Sequence, residues 1–330
     1  MNASYNIARN QTALLDLGNE GRVRIGGADA EQALNACFSM DLEIILPWKG
    51  VTGLFLNEQG GILAIATVFK GDDEFFVFTE AATAASLLQH LRERLSGADV
   101  EIEDLSQRFG WICVLGPRAQ NAMSQFAGDE ILGLPYLAFE ENVKLEAKLF
   151  RMGFCGEFEY RMLCPLERCQ EMLLGFLDGG QEFGVEMAQP EVMLLLMLEM
   201  RSLGIADIPS DADPIQAGLH WMVNFRKEAY PGRDAVLAAK AEPRRRALML
   251  LLEKNGAAKA GDRIEIEEQD FGFLAHVDYS PALERDIALA YTDPELGWVG
   301  VSFRTAGEDG GCWATGVSAP LFVTKTVSGS

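Results

Sequence analysis

The sequence predicts an α+β protein of two or three domains, and three observations carry that expectation. The chain has 330 residues, which at roughly 150 residues per domain suggests about two domains or three small ones. Residues 54–115 read as short strands interrupted by one helical run, in the order β-β-β-α-β-β, which suits an open sheet with a helix on one face. Beyond Glu242-Pro243 the chain carries strand-like runs separated by Gly- and Asp-containing turns, the pattern of a small all-β domain.

Element by element, Gly21–Ile25 alternates into the Gly26-Gly27 turn and reads as a strand. Asp29 then predicts an N-cap for a helix opening at Ala30. Leu54–Leu56, a turn at 57–61 and Ile62–Phe69 predict a β-hairpin. Glu74–Thr79 follows the Gly71-Asp72-Asp73 turn as another strand, and Ala81–Leu95 has helical periodicity ending at Ser96-Gly97. Val100–Leu105 and Trp111–Leu115 read as strands, Gly116-Pro117-Arg118 opens a helix through Met123, and Lys144–Met152 reads as one strand. Leu166–Leu177 and Pro190–Leu203 predict helices, the second with proline at its first position. Strands are then expected at 246–253, 263–268, 271–279, 286–291, 298–304 and 312–318.

Apolar residues make up 48% and charged residues 23%, a globular composition that excludes a disordered or low-complexity chain. The longest apolar runs, Val192–Leu198 and Ala247–Leu252, fall well short of the roughly 20 residues a bilayer span requires. Met1–Asn6 has neither a basic region nor an apolar core, so a secretory leader is not expected and a cytoplasmic location is. The 49 acidic residues outnumber the 28 basic ones, for a net charge of -21. That field repels phosphate backbones and anionic lipid, so neither nucleic acid nor membrane is an expected partner. An anionic ligand needs a locally basic pocket, and the one dense basic cluster is Arg244-Arg245-Arg246. The six cysteines form no CxxC pair, and there are only three histidines (His90, His220, His276). Reduced thiols and no metal site are the expectation. No GxGxxG, P-loop or nucleophile-elbow motif supports a dinucleotide, nucleotide or serine-hydrolase reading.

Spaced segments carry a more specific signal. Arg9–Leu17 with Arg24–Ala30 resembles an opening "R-x-x-x-A-L-x-D-L-S … G-x-D-A", and Leu56–Leu63 resembles "L-x-x-x-G-G-I-L-D-D". Leu115–Gln120 resembles "Q-G-P-x-A-Q", and Gly153–Tyr160 resembles "G-Y-T-G-E-x-G-Y-E". Leu198-Glu199 resembles the end of "R-D-x-L-R-L-E-A-G", Pro214–Trp221 resembles "P-x-x-A-G-L-x-W", and Lys227–Ala235 resembles "K-x-x-F-x-G-K-x-A". Tyr279-Ser280-Pro281 with Ile287–Ala290 resembles "S-P-x-L … I-A-L-A". In this order the segments resemble the aminomethyltransferase family, the T-protein of the glycine cleavage system, which moves one-carbon units to tetrahydrofolate.

The resemblance implies a T-protein-like cloverleaf: a discontinuous first domain over 1–48 and 136–242 that binds folate, a ferredoxin-like second domain over 49–135, and a C-terminal β-barrel or jelly-roll-like domain over 243–330. It implies tetrahydrofolate as cofactor and a small-molecule one-carbon donor as partner. It places the pterin-binding glutamate on Glu199, since a carboxylate accepts the pterin amide and amino edge in bidentate fashion. The preceding run Leu194–Leu198 is apolar on every face, so an ionised Glu199 must be ligand-facing or paired, with Arg201 the rival partner. Lys227 and Arg226 stand where the family places a cation near folate, or are surface charge. Tyr230 is at the family's aromatic position, or in the core, and Glu157 is buried or adjacent to the site. Trp221 is expected to be packing.

The family's aspartate pair is replaced by Ala64 and Ile65, which can neither accept a proton nor stabilise positive charge. The pair is expected to wall an apolar donor pocket, and no residue is selected as acid or base among Tyr136, Asp16 and His220. The function implied is tetrahydrofolate-dependent transfer of a methyl or methylene unit from an amine, sulfonium or ether donor. The alternatives are a folate-binding accessory protein of the iron–sulfur assembly branch, whose motif cysteine is Ala229 here, and ordinary glycine cleavage.

Overall fold

Large apolar side chains at alternate positions, as in Phe76 and Phe78 of one strand, build the fold of the first part of the chain. The computed structural model describes residues 2–254, 256–307 and 310–328. They divide into two units, one formed by the residues up to 55, 63–196 and those from 323 on, the other by 56–62 and 197–322.

The first unit opens with helix α1 (Asn2–Asn10) and strands β1 (Thr12–Asp16) and β2 (Gly21–Gly26). Helix α2 (Ala30–Cys37), the hairpin β3 (Lys49–Leu56) and β4 (Ile62–Lys70), and β5 (Glu74–Thr79) follow. Next come α3 (Ala84–Arg94), β6 (Glu101–Asp104), β7 (Phe109–Leu115) and α4 (Ala119–Ala127). Strands β8 (Ala138–Asn142), β9 (Ala147–Arg151) and β10 (Glu159–Pro165), helix α5 (Cys169–Gly179), and β11 (Val185–Met187) complete the main body, ahead of α6 (Val192–Met200). The strands form one 11-stranded sheet in the order β11-β1-β7-β10-β9-β8-β3-β4-β5-β2-β6. Register fixes its faces: Thr67 lies opposite Phe78 and Phe69 opposite Phe76, so Ile65, Thr67 and Phe69 share one face. On that face Phe69, Phe76, Phe78, Trp111, Phe139 and Phe150 form a cluster of ring contacts, with Phe78 stacked on Trp111 at 4.3 Å. Ala64, Ala66 and Val68 point the other way, into a core with Val23, Leu34, Leu87 and Leu91 from β2, α2 and α3.

Three expectations are corrected here. Lys144–Met152 is not one strand but the second half of the β8–β9 hairpin. Its turn has no glycine: the Asn142 side chain accepts from Leu145 N–H at 3.0 Å and Glu146 takes φ +52°. Asp29 does not cap α2 with its side chain, because its Oδ2 accepts the backbone N–H of Asp99 instead. The helix expected over 190–203 ends at Met200. Arg201 adopts φ +55°, and Ser202 N–H bonds Met197 O while Arg201 N–H bonds Leu198 O, the left-handed stop usually given to glycine.

The second unit carries helix α7 (Arg233–Ala241) and six strands: β12 (Arg246–Leu252), β13 (Arg263–Ile266), β14 (Gln269–Ser280), β15 (Arg285–Thr292), β16 (Ser302–Ala306) and β17 (Trp313–Val317). They close into a barrel in the order β12-β15-β14-β13-β16-β17, filled by Leu248, Leu250, Ile264, Leu274, Ala288, Ala290 and Phe303. The C-terminal segment, including helix α8 (Lys325–Ser328), returns to the first unit.

Candidate functional site

In the second unit, the last turn of α6 carries Glu199, whose exposure is 0%. Ser280 Oγ, at the end of β14, donates to Glu199 Oε1 at 2.6 Å, and Leu321 N–H bonds its backbone carbonyl. Arg201, the rival partner, does not pair with it: its guanidinium donates to Ala247 O at 3.2 Å, and its Nε is buried without a hydrogen bond. Burial depresses its pKa, since desolvation disfavours the charged form.

The segment 224–232 follows in the same unit. Arg226 is exposed and Lys227 half-buried. Arg233 joins this segment to α7, its Nε donating to Lys227 O at 2.8 Å and its backbone N–H to Tyr230 O. Tyr230 is buried, as a core reading would have it, yet its hydroxyl finds no hydrogen-bond partner, and burial raises its pKa. Gln216 Oε1 is likewise buried and unpartnered. Trp221 is not packed: it is 54% exposed. Two glycines of the resembled motifs meet here, because Gly232 (φ +76°) lies against the turn between β3 and β4. A Cβ on Gly232 would come within 2.4 Å of Asn57 O and 2.7 Å of Gly60. Only glycine permits that backbone-to-backbone approach.

In the first unit, Ala64 and Ile65 fall on opposite faces of β4. Ala64 is fully enclosed in the core and presents no surface to a ligand; half-buried Ile65 faces the aromatic side. Glu157 is engaged within the protein. Arg9 Nη1 pairs with its Oε1 at 3.3 Å, and Thr326 donates to its Oε2 from backbone N–H (3.0 Å) and hydroxyl (2.6 Å). Of the acid–base candidates, Asp16 is exposed and accepts from Gly18 N–H, and His220 is exposed on a short turn. Tyr136 donates its hydroxyl to Gly153 O at 2.9 Å and is pushed up by burial to about 12.

A charged cluster outside the residues singled out by the motifs lies on the inner face of the sheet. Arg161 Nε donates to Glu159 Oε1 at 2.7 Å, and Arg161 also pairs with Glu20, which accepts Trp111 Nε1 at 3.0 Å. The Glu159 side chain is fully buried, its Oε2 has no partner, and burial raises its pKa against the opposing pull of Arg161. The signal was present in the motif: where the pattern "G-Y-T-G-E-x-G-Y-E" has glycine and a final glutamate, this chain has Glu159 and Arg161.

Comparison with known proteins agrees with this architecture. The family model of the GCVT N-terminal domain matches residues 1–227. The aminomethyltransferase of Mycobacterium avium (strain 104) is 28% identical over 302 residues, covering 89% of this chain and 80% of the relative. That of Thermoanaerobacter sp. (strain X514) is 24% identical over 304 residues, covering 90% and 83%. The crystal structure of glycine cleavage system aminomethyltransferase T from Bartonella henselae superposes with a TM-score of 0.87 at 20% identity, covering 98% of this chain and 89% of that one, and shows the shared fold. The chain therefore belongs to the family of the GCVT N-terminal domain, the aminomethyltransferases that act with tetrahydrofolate.

Proposed function

We propose that the protein transfers a one-carbon unit, methyl or methylene, from a small amine, sulfonium or ether donor to tetrahydrofolate. The observation that carries this reading is the β4 strand of a chain in this family. Where the resembled motif has two carboxylates, one position is core alanine and the other an isoleucine on the aromatic face. A donor whose methyl group is already activated needs no proton acceptor there, and proximity supplies most of the acceleration.

The second unit fits a polar folate. Tyr230 Oη, Gln216 Oε1 and Arg201 Nε are buried there without hydrogen bonds, each at a cost of about 1–3 kcal/mol that a ligand's polar edge would offset. In this reading Glu199, oriented by Ser280, accepts the pterin edge, and Arg226 and Lys227 meet the folate's carboxylates. Tetrahydrofolate supplies the nitrogen that receives the one-carbon unit. Glu157, held by Arg9 and Thr326, has a structural part rather than a ligand-binding one. Titration calorimetry with tetrahydrofolate tests the binding half. Glu199→Gln should weaken affinity roughly 30–150-fold, the equivalent of a charge-assisted pair worth about 2–3 kcal/mol. Equal affinities would remove Glu199 from the site.

One observation favours a second reading, ordinary aminomethyl transfer. Glu159 is a buried acid with an unpartnered oxygen on the sheet face that Ile65 also shares, so a relocated carboxylate is available. A reconstituted glycine-cleavage assay separates the two. Background turnover by the wild type, with methyl transfer from sulfonium donors, is the expected result; robust turnover lost in Glu159→Gln would select the second reading. Ile65→Asp should not restore aminomethyl transfer, because it desolvates a carboxylate at a cost of several kcal/mol.

A further inference from the structure

Two cysteines outside these motifs stand in a different relation from the other four. Cys164 is buried near the end of β10, and half-buried Cys169 is the first residue of α5. The short turn Leu166–Arg168 folds the chain back so that the two sulfurs sit 3.1 Å apart, closer than ordinary non-bonded sulfur contact and about 1 Å from the length of a disulfide. The approach depends on β7. Gly110 is the register partner of Cys164, and a Cβ there would come within 1.9 Å of Cys169 Sγ. Cys169 is the more exposed of the two, so a dissolved oxidant meets its sulfur before that of buried Cys164. Pro165, Leu166 and Glu167, three of the four residues between the pair, border a surface hollow with Gln107, Arg108 and Phe109, so the linking turn itself faces solvent. Cys37, Cys113, Cys155 and Cys312 are all buried, and burial pushes the Cys113 and Cys155 thiols well up.

We propose that Cys164 and Cys169 are a peroxide-reactive thiol pair, with Cys169 the attacking residue and Cys164 the resolving one. Cys169 thiolate attacks one oxygen of a hydroperoxide. The S–O bond forms as the O–O bond breaks, and the alcohol or water leaves with the proton the thiol gave up. Cys164 then attacks the sulfenic sulfur; the S–S bond forms, the S–O bond breaks, and water departs with the second thiol proton. The two thiols lose two electrons and the peroxide gains them.

The test is hydrogen peroxide treatment of the intact protein, alkylation of the remaining thiols and peptide mapping by mass spectrometry. The expected product has lost about 2 Da, the two thiol hydrogens, and retains four of its six free thiols, with 164 and 169 joined in one peptide. In Cys164→Ser, dimedone should trap a sulfenic acid on Cys169 that the wild type does not accumulate. Preferential oxidation of another cysteine, conversion of Cys169 to sulfinic acid while Cys164 stays free in the wild type, or an unchanged thiol count under excess peroxide would overturn the proposal. The mapping is done on the wild type, so the result does not depend on a variant folding.

Discussion

Asp207 and His276 show how one residue pair sets a property of the barrel unit. His276 Nδ1 lies 2.6 Å from Asp207 Oδ1, while Asp207 Oδ2 accepts Gly204 N–H at 2.9 Å. The hydrogen bond to Asp207 raises the His276 pKa above its ordinary value of about 6.5; burial opposes this, and Asp207 and Asp278 add to it as charges. A raised folded-state pKa means that the folded protein binds this proton more tightly than the unfolded chain. The stabilisation is therefore full below about pH 6.5 and is lost as pH rises through the folded value. Thermal melts at pH 6 and pH 8.5 should show a larger drop for wild type than for His276→Gln, and equal drops would assign the pair no such part. At this scale the sequence was legible in burial: Glu199, at the end of an all-apolar run, is enclosed and paired with Ser280, and Tyr230 is buried. It was silent where the chemistry depends on distant contacts: nothing local announces that Glu157 is claimed by Arg9 and Thr326, or that Glu159 and Arg161 neutralise each other.

Among the elements, strands flanked by glycine turns were readable, and those closed by other residues were not. The β13–β14 hairpin is the clearest case. Ile266 and Gln269 are register partners, so its turn is the two residues Glu267 and Glu268, at φ +52° and +66°. Two-residue hairpin turns with both φ values positive are usually built from Asn-Gly, and paired glutamates gave no signal, which extended the expected first strand through the turn. The conformation is also costly for glutamate. The double variant Glu267→Asn, Glu268→Gly should stabilise the protein by about 1–2 kcal/mol and raise Tm by a few degrees. An unchanged or lower Tm would mean that the glutamates earn their place through contacts elsewhere. Missed strands β1, β10 and β11 have a related cause. Buried on both faces or very short, they show no alternation to read.

At the level of the whole molecule, the all-β character of the last third was legible, because the barrel is made of consecutive strands. The 11-stranded sheet was not, because β1 pairs on one side with β7 and on the other with β11, whose residues follow it by about 100 and about 170 positions in sequence. The C-terminal segment closes the first unit through four hydrogen bonds: Thr324 to Gly156 O, Thr326 twice to Glu157, and Phe158 N–H to Thr326 Oγ1. Ending the chain at Phe322 should lower unfolding stability by about 3 kcal/mol, at roughly 0.5–1.5 kcal/mol per bond, and leave Glu157 with Arg9 alone. Urea unfolding that matches the full-length protein would refute this. The same closure dictates an order of events on the ribosome. Residues up to 55 and 63–196 of the first unit are made before 197–322, yet its last strip is synthesised only after all of 197–322 has been translated. At about 5–20 residues per second, the N-terminal sheet waits several seconds with its Glu157 carboxylate unclaimed by Thr326. A nascent chain stalled before residue 323 should therefore be more open to protease in the first unit than the released protein, although every strand of its sheet has already been translated.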